Sequence, residues 1–204
     1  MDSCLVGSEM CIRDRRFLSL ALLPKKNFSR LCGWIADQRW PSYLLHQILI
    51  RSFVRYFNVD LSECPQKLKD FQTFNEFFTR PLKPEARPIS TEKNALICPV
   101  DGTIGFFGTI TQETLLQAKD KEYLLTDLLQ DSFVAHEYEG GIYLTIYLAP
   151  YNYHRIHSMV EGSITRFAYI PGELWTVSPL GLAFVPRLFA RNERWISYID
   201  TEHG

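Results

Sequence analysis

The sequence lacks the patterns that mark several large protein classes. No uncharged apolar run reaches the ~18 residues that a transmembrane helix needs. Phosphate-binding loops, the dinucleotide-binding glycine pattern and the Gly-x-Ser-x-Gly turn of many serine hydrolases are all absent. Membrane-spanning proteins, nucleotide-binding enzymes of the common types and hydrolases with that turn are therefore disfavoured.

The cysteines fit neither a disulfide scaffold nor a metal site. They are Cys4, Cys11, Cys32, Cys64 and Cys98, an odd number without Cys-x-x-Cys spacing. We expect reduced thiols in a protein that faces the cytosol.

Both ends of the sequence look artificial. The first residues alternate acidic, basic and apolar side chains and do not form a secretory signal. Residues 1–14 carry no periodicity that continues beyond them, so we interpret them as a non-native extension. The chain stops just after the strand-like residues 195–199, with no helix cap or tail.

What the chain does contain is a basic, apolar N-terminal region. Residues 15–57 hold eight Lys or Arg and a single acid, Asp37. Between Ser42 and Phe57, apolar and polar residues recur on different sides at helical spacing. The apolar set is Leu45, Ile48, Leu49, Phe53 and Tyr56, and the polar set is Gln47, Arg51 and Arg55. This pattern predicts a helix at a membrane surface, with residues 29–38 as a second one. An ordinary amphipathic helix packed on its own domain fits equally well.

The basic residues of this region suit the phosphates of either nucleic acid or anionic lipid. The apolar residues decide between these partners. They are mainly aliphatic and at helical spacing, whereas single-stranded nucleic acid is bound by aromatic platforms on strands. We therefore expect an anionic membrane surface as the partner and no nucleic acid.

The rest of the chain predicts a mainly antiparallel β core. Thr73 to Glu76 matches a capping box, and Arg80-Pro81 ends the short helix that follows it. Glycines and prolines then separate five predicted strands. These strands are residues 95–98, 103–110, 142–149, 162–170 and 195–199, and only residues 121–130 between them are predicted helical. The predicted fold class is α+β, with a helical region over residues 15–58 and the β core over residues 59–204.

Two histidines three residues apart are the strongest indication of chemistry. His154 and His157 flank Arg155, and histidine is the side chain best suited to proton transfer near neutral pH. Asp101, before Gly102, can orient a histidine by accepting its ring N–H, but Asp-Gly is also a common turn pair. A metal site on these residues is not excluded, although three-residue spacing suits a helix better. The residues alone indicate an enzyme whose proton transfers run through a histidine pair.

Eight short blocks stand out in addition. They read FNEFFTRPL (74–82), ARPI (86–89), PVDG (99–102), QAK (117–119), YLAP (147–150), YHRIH (153–157), YIPG (169–172) and LFARNER (188–194). In this order and spacing they resemble the bacterial phosphatidylserine decarboxylase proenzymes, over about residues 16–204.

The resemblance implies a membrane-associated carboxy-lyase that converts phosphatidylserine into phosphatidylethanolamine and carbon dioxide in phospholipid biosynthesis. The implied cofactor is pyruvate, as a pyruvoyl group that the proenzyme makes by cutting itself before a serine in a Leu-Gly-Ser-Thr motif. The substrate amine would form a Schiff base with the pyruvoyl carbonyl, which takes up the electrons released by decarboxylation. A positioned histidine would then deliver a proton to the carbon.

The resemblance also implies roles for individual residues. Asp101 and His157 match the acid and base that activate the serine for self-cleavage. His154 matches the histidine assigned to substrate binding and proton transfer. Arg155 is a candidate for meeting a carboxylate or phosphate, or a structural ion-pair partner. Arg51 and Arg55 are candidate membrane or substrate contacts within the region that matches the family's membrane-docking part.

The chain departs from the family pattern in three respects. Leu-Gly-Ser-Thr does not occur in the 204 residues. We therefore expect a fragment that holds most of the β subunit, lacks the pyruvoyl-bearing α subunit and is inactive by itself, with an incomplete catalytic domain over residues 59–204. Asp120 stands where glycine is usual. Met159 stands where proline is usual, and this second change is expected to loosen the loop that holds His157.

The expected partners are phosphatidylserine, an anionic membrane surface, the missing α subunit and a second copy in a homodimer. The expected location is peripheral, at the cytoplasmic face of the cell membrane. A second hypothesis is a non-catalytic lipid-binding relative that kept the membrane helices. Asp101, His154 and His157 argue against it, because a binding module needs no such trio.

Overall fold

A computed structural model describes residues 24–40, 42–92, 95–117 and 121–202, without the side chains of residues 115–117, 121, 179 and 180. The supposed non-native extension and Asp120 lie outside the described residues. Helices and short β-sheets make up the described chain, which confirms the predicted α+β class.

Two helices form the described part of the N-terminal region, as predicted. Helix α1 spans Lys25–Asp37 and begins earlier than expected, and helix α2 spans Tyr43–Phe57. The Ser42 hydroxyl caps α2 by accepting a hydrogen bond from the Leu45 N–H at 3.4 Å. Asn58 ends the helix in the left-handed conformation, with φ of 52°. None of the described helices combines the length and the apolar character that a bilayer span requires.

Helix α2 has one buried face and one exposed apolar face. Ile50 is fully buried, whereas Leu45 and Ile48 are 56% and 51% exposed. Gln47, which was predicted on the polar side, is buried, and its Nε2 donates to the Leu68 carbonyl at 3.2 Å. That placement was wrong, because the side of α2 that packs on its own unit includes Gln47 as well as Ile50. The helix therefore has features of both predicted alternatives. One face packs on its own unit, as in an ordinary amphipathic helix, and an apolar face remains exposed, as in a helix at a membrane surface.

Within the ranges that the structure describes, six strands follow the helical region. They are β1 (Thr103–Thr109), β2 (Thr114–Gln117), β3 (Lys121–Leu124), β4 (Ile142–Tyr147), β5 (Ser163–Ile170) and β6 (Arg194–Asp200). Strand β1 pairs with β4, β2 with β3, and β5 with β6. The β2–β3 pair is antiparallel, with Thr114 opposite Leu124 and Gln117 opposite Lys121. The predicted strands 103–110, 142–149, 162–170 and 195–199 are confirmed.

Two predictions in this region were wrong. Residues 95–98 form no strand, because their main-chain bonds form no ladder: the Ala95 N–H donates to the nearby Glu92 carbonyl at 3.3 Å, and the Ile97 N–H donates to the Met159 carbonyl at 2.9 Å. Residues 121–130 are not one helix, since their first four residues form β3. Pairing with β2 overrides the helical propensity of that sequence.

The remaining helices are short. They are α3 (Phe74–Phe78), α4 (Leu125–Leu129), α5 (Ser132–Glu137), α6 (Pro179–Phe184) and α7 (Leu188–Arg191), with 3₁₀ turns at Leu68–Asp70 and Pro84–Ala86.

The chain divides into two compact units. The first comprises the described residues within 24–31, 108–143 and 167–197, and its buried cluster is formed by Ile110, Leu125 and Ala135. The second comprises the described residues within 32–107, 144–166 and 198–202, and its buried cluster is formed by Ile50, Val59, Cys64, Phe71 and Phe77. Asp101, His154 and His157 all belong to the second unit.

Candidate active site

The histidine segment is an irregular, extended stretch that follows β4. A tight turn at its start is closed twice by Asn152. The Asn152 N–H donates to the Ala149 carbonyl at 2.9 Å, and its Oδ1 accepts from the Ala149 N–H at 2.7 Å. The N–H groups of Ala149 and Asn152 are thereby satisfied, which fixes the direction in which the chain leaves the strand.

Backbone bonds align this stretch with the segment that carries Asp101. The His157 N–H donates to the Pro99 carbonyl at 2.9 Å. Gly102 allows a close approach on the other side, because a Cβ there would lie 2.7 Å from both the Ile146 side chain and the Tyr147 carbonyl oxygen. The Asp-Gly pair therefore serves a close packing contact as well as a turn, and Asp101 and His157 are brought near each other.

Asp101 is held by an arginine that the sequence analysis did not single out. The Arg87 Nε donates to both carboxylate oxygens of Asp101, at 2.9 and 3.1 Å, and Nη2 makes a further, shorter contact. The other edge of the guanidinium binds Glu63 at 2.8 and 2.9 Å. Glu63, Arg87 and Asp101 thus form a chain of charge-assisted hydrogen bonds.

This chain sets the charge of Asp101. Hydrogen bonds from Arg87 hold the pKa of the Asp101 carboxyl below its ordinary value; partial burial opposes this effect, and the positive charges of Arg87 and His157 add to it. The carboxylate is therefore ionised at neutral pH. Among the described residues, Asp101 forms its ion pair with Arg87 and none with His157.

His157 lies exposed at the end of the segment. Its Nε2 is 3.0 Å from the hydroxyl of Tyr153, and the two rings stack with centroids 5.6 Å apart. A histidine that is accessible and close to an ionised carboxylate can take up and release a proton.

His154 has a different environment from His157. Its ring is half-buried and lies against Phe78, with centroids 4.0 Å apart, and its Nδ1 is 2.9 Å from the Asn152 carbonyl oxygen. Burial lowers the pKa of His154; the nearby positive charge of Arg80 lowers it further, while the bond to Asn152 raises it. His154 is therefore biased towards the neutral imidazole.

Helix α3 leads directly into the residues that contact the histidine segment, and its start is fixed by a cap. The Thr73 hydroxyl caps α3 by accepting from the Glu76 N–H at 3.0 Å, as the capping box predicts. The Glu76 carboxylate accepts from the Gln72 N–H at 2.7 Å, one residue earlier than the box requires. The helix ends before Arg80-Pro81, as predicted.

The three candidate arginines are all exposed. Arg155 donates from Nε to the Thr79 carbonyl at 2.8 Å, so it ties the histidine segment to the end of α3. Arg51 and Arg55 lie on the exposed side of α2. The described residues contain no group of three His, Cys, Asp or Glu side chains placed to hold a metal ion.

Sequence reasoning missed Arg80, Arg87 and Glu63 as site residues. Arg80 and Arg87 lie within two of the blocks that carry the family resemblance, and each is followed by a proline. That signal marks the positions, but it does not reveal the partners, which come from distant parts of the chain.

Comparison with known proteins decides the family. The family model described as "Phosphatidylserine decarboxylase" matches residues 74–204, which include Asp101 and both histidines. The chain belongs to the phosphatidylserine decarboxylase family. Among curated relatives, the phosphatidylserine decarboxylase proenzyme of Yersinia enterocolitica is 44% identical over 187 residues, covering 90% of this chain. The proenzymes of Yersinia pestis and Yersinia pseudotuberculosis are 43% identical over the same length, covering 90% of this chain.

The chain matches only part of the length of these decarboxylase proenzymes. The chain spans 62% of the length of each of these three relatives.

Proposed function

We propose that the chain supplies the β-subunit part of a phosphatidylserine decarboxylase, which releases carbon dioxide from phosphatidylserine and leaves phosphatidylethanolamine. The observation that carries this proposal is the separation of the two histidines into different environments. His157 is exposed near an ionised carboxylate, whereas His154 is half-buried and biased towards its neutral form. Two histidines with different environments suit two different proton transfers.

The first transfer belongs to self-cleavage. His157 would take the proton from a serine hydroxyl supplied by a segment outside these 204 residues, and ionised Asp101 would stabilise the imidazolium that results. Arg87 keeps Asp101 ionised and oriented for this role. The family's serine motif is absent from the chain, so we infer that the 204 residues alone have no decarboxylase activity.

The second transfer belongs to the decarboxylation itself. A pyruvoyl group supplies an electron sink for the pair of electrons left when the carboxylate departs. The donor set of this chain fits such a group, because within the described residues His154 Nε2 has no hydrogen-bond partner, while Nδ1 is engaged by Asn152. His154 is therefore the residue of this chain that would lie beside the group, take up a proton at Nε2 and deliver it to carbon.

Membrane docking is proposed for the exposed apolar face of α2. Leu44, Leu45, Ile48 and Tyr56 are 67%, 56%, 51% and 82% exposed, respectively. Arg51 and Arg55 are exposed on the same helix and can meet anionic headgroups. This arrangement supports peripheral attachment to a membrane surface, and the cytoplasmic face is the proposed location. The α subunit and a homodimer remain predictions.

The test uses the full-length proenzyme that contains these residues, mixed with vesicles of phosphatidylserine labelled in the serine carboxyl. We expect the protein to cut itself into two chains and to release labelled carbon dioxide. Residues 1–204 alone, as the matched control, should release none. Vesicle binding without carbon dioxide release would instead support the non-catalytic lipid-binding relative, and the absence of both would refute the proposal.

A further inference from the structure

The segment that follows α3 holds the loop that carries His154. The ring of Phe78 lies on the ring of His154, with centroids 4.0 Å apart. The next residue, Thr79, accepts a hydrogen bond from the Nε of Arg155 at 2.8 Å. Two consecutive residues thus contact the histidine and the residue after it.

Arg80 contacts the same loop from the other side of the histidine. Its Nη2 donates to the Tyr151 carbonyl oxygen at 3.3 Å. The loop is therefore tied to one short segment both before and after His154. This arrangement limits how far the imidazole can move, because its position is set by the backbone at both ends.

Arg80 is unusual because it is buried without a full set of partners. It is only 3% exposed, and among the described residues its Nε and Nη1 have no hydrogen-bond partner. No described carboxylate forms an ion pair with it, and Asp60 is the carboxylate whose charge acts on it. Proteins rarely bury an unpaired guanidinium, because desolvating its charge is costly. A group buried at that cost next to a candidate catalytic histidine is a candidate for a functional role.

We propose that Arg80 is the positioning residue of His154, fixing the histidine loop through its hydrogen bond to the Tyr151 carbonyl. The catalytic meaning of this inference rests on the proposed decarboxylase function. Arg80 touches neither substrate nor cofactor in this account and acts only through His154.

The charges around His154 agree with this role. The positive charge of Arg80 acts on His154, the charge of Asp60 acts on Arg80, and the neighbouring Arg155 is exposed. The neutral imidazole that donates from Nδ1 to the Asn152 carbonyl leaves Nε2 as an acceptor. A proton taken up there from water is held weakly, so His154 becomes a stronger acid towards the carbon that must be protonated.

The direct test is NMR titration of His154 in the mature enzyme made from the full-length proenzyme. We expect R80Q to raise the titration midpoint of His154, because the nearby positive charge is removed. R80K keeps the charge and should keep the low midpoint. K83Q is the matched control, since Lys83 is exposed, binds the Ser62 carbonyl at 2.8 Å and lies three residues along the same segment. A midpoint that is unchanged or lowered in R80Q would overturn the proposal, as would an equal rise in K83Q.

Kinetics supply a second readout. R80Q should lower kcat about 10- to 100-fold, because a misplaced proton donor slows the chemical step. KM should stay within about threefold, since Arg80 does not contact the substrate. A raised KM with unchanged kcat would place Arg80 in substrate binding and refute the positioning role.

Two further outcomes keep the test decisive. If R80Q does not fold, R80K alone decides, because a His154 midpoint that rises despite the retained charge contradicts the proposal. If the wild-type mature enzyme releases no carbon dioxide, the proposed function fails, but the His154 midpoints still test the influence of Arg80 on His154.

Discussion

Replacing Arg87 with glutamine should uncouple Asp101 from the charge that keeps it ionised. Arg87 contacts both oxygens of the Asp101 carboxylate and both oxygens of Glu63. Glutamine keeps a polar amide at the site but removes the positive charge and the planar fork. We expect the folded protein to lose stability and self-cleavage to slow, because the carboxylate is no longer held near His157.

The expected size of the effect follows from exposure and geometry. The side chains of Arg87 and Asp101 are 47% and 28% exposed. Exposed ion pairs contribute ~0.2–1 kcal/mol, whereas hydrogen bonds to charged groups contribute ~1.5–3 kcal/mol. The contact between Arg87 and Asp101 is multidentate but partly screened by solvent, so we expect a coupling free energy of about 1–2 kcal/mol.

A double-mutant cycle measures this coupling. The four proteins are the parent, R87Q, D101N and the double variant, all as the full-length proenzyme. Each carries H157A, which is expected to keep every protein unprocessed, so that unfolding free energies in urea can be compared. A coupling below about 0.3 kcal/mol at pH 7, which is within the error of additivity, would refute the reasoning.

The same cycle has a defined dependence on pH. The pKa of Asp101 lies below its ordinary value of 3.8 in the folded protein. Its contribution to stability is therefore complete above the ordinary value and is lost as the pH falls through the lowered pKa. The parent should lose more stability than R87Q between neutral pH and the acid side of 3.8, and equal losses would contradict the assignment.

Three further predictions concern other parts of the chain. F77A should destabilise the full-length protein by about 3–5 kcal/mol in urea unfolding, because Phe77 is fully buried among aromatic rings; an effect under about 1 kcal/mol would argue against this core. R194M should cost about 2–4 kcal/mol in the same assay, since Arg194 donates to the carbonyls of Asp127, Leu128, Ala190 and Asn192 at 2.6–2.9 Å; full stability would show that water replaces these bonds. R51Q and R55Q should each weaken binding to anionic vesicles about fivefold at low salt, with no change on neutral phosphatidylcholine vesicles, and unchanged binding would remove these arginines from the docking surface.

The regular elements were predictable because their patterns are local. Ser42 marks the start of α2 through a cap that needs only nearby residues. Strands β4 and β5 follow from apolar and aromatic residues bounded by glycine and proline. Residues 121–124 were misassigned because their strand depends on a partner strand, which local propensity does not report.

The candidate residues were predictable from the sequence, whereas the residues that hold them were not. Asp101, His154 and His157 were found from residue type and motif, and the structure brings Asp101 and His157 together through a backbone bond at Pro99. Arg87 lies 14 residues from Asp101 in sequence, and Arg80 lies 71 residues from Tyr151. Such pairs form only when the chain folds back on itself, so charge and spacing in the sequence do not reveal them.

The two histidines are proposed to serve two different steps, and these steps can be measured separately in the same samples. Full-length H157Q and H154Q would be purified beside the parent protein, cutting would be measured by intact-mass spectrometry, and release of labelled carbon dioxide from phosphatidylserine would be assayed. We expect H157Q to stay a single uncut chain, whereas H154Q is cut as the parent is and yet releases no carbon dioxide. Normal cutting of H157Q, or failure of H154Q to be cut, would contradict this division of roles.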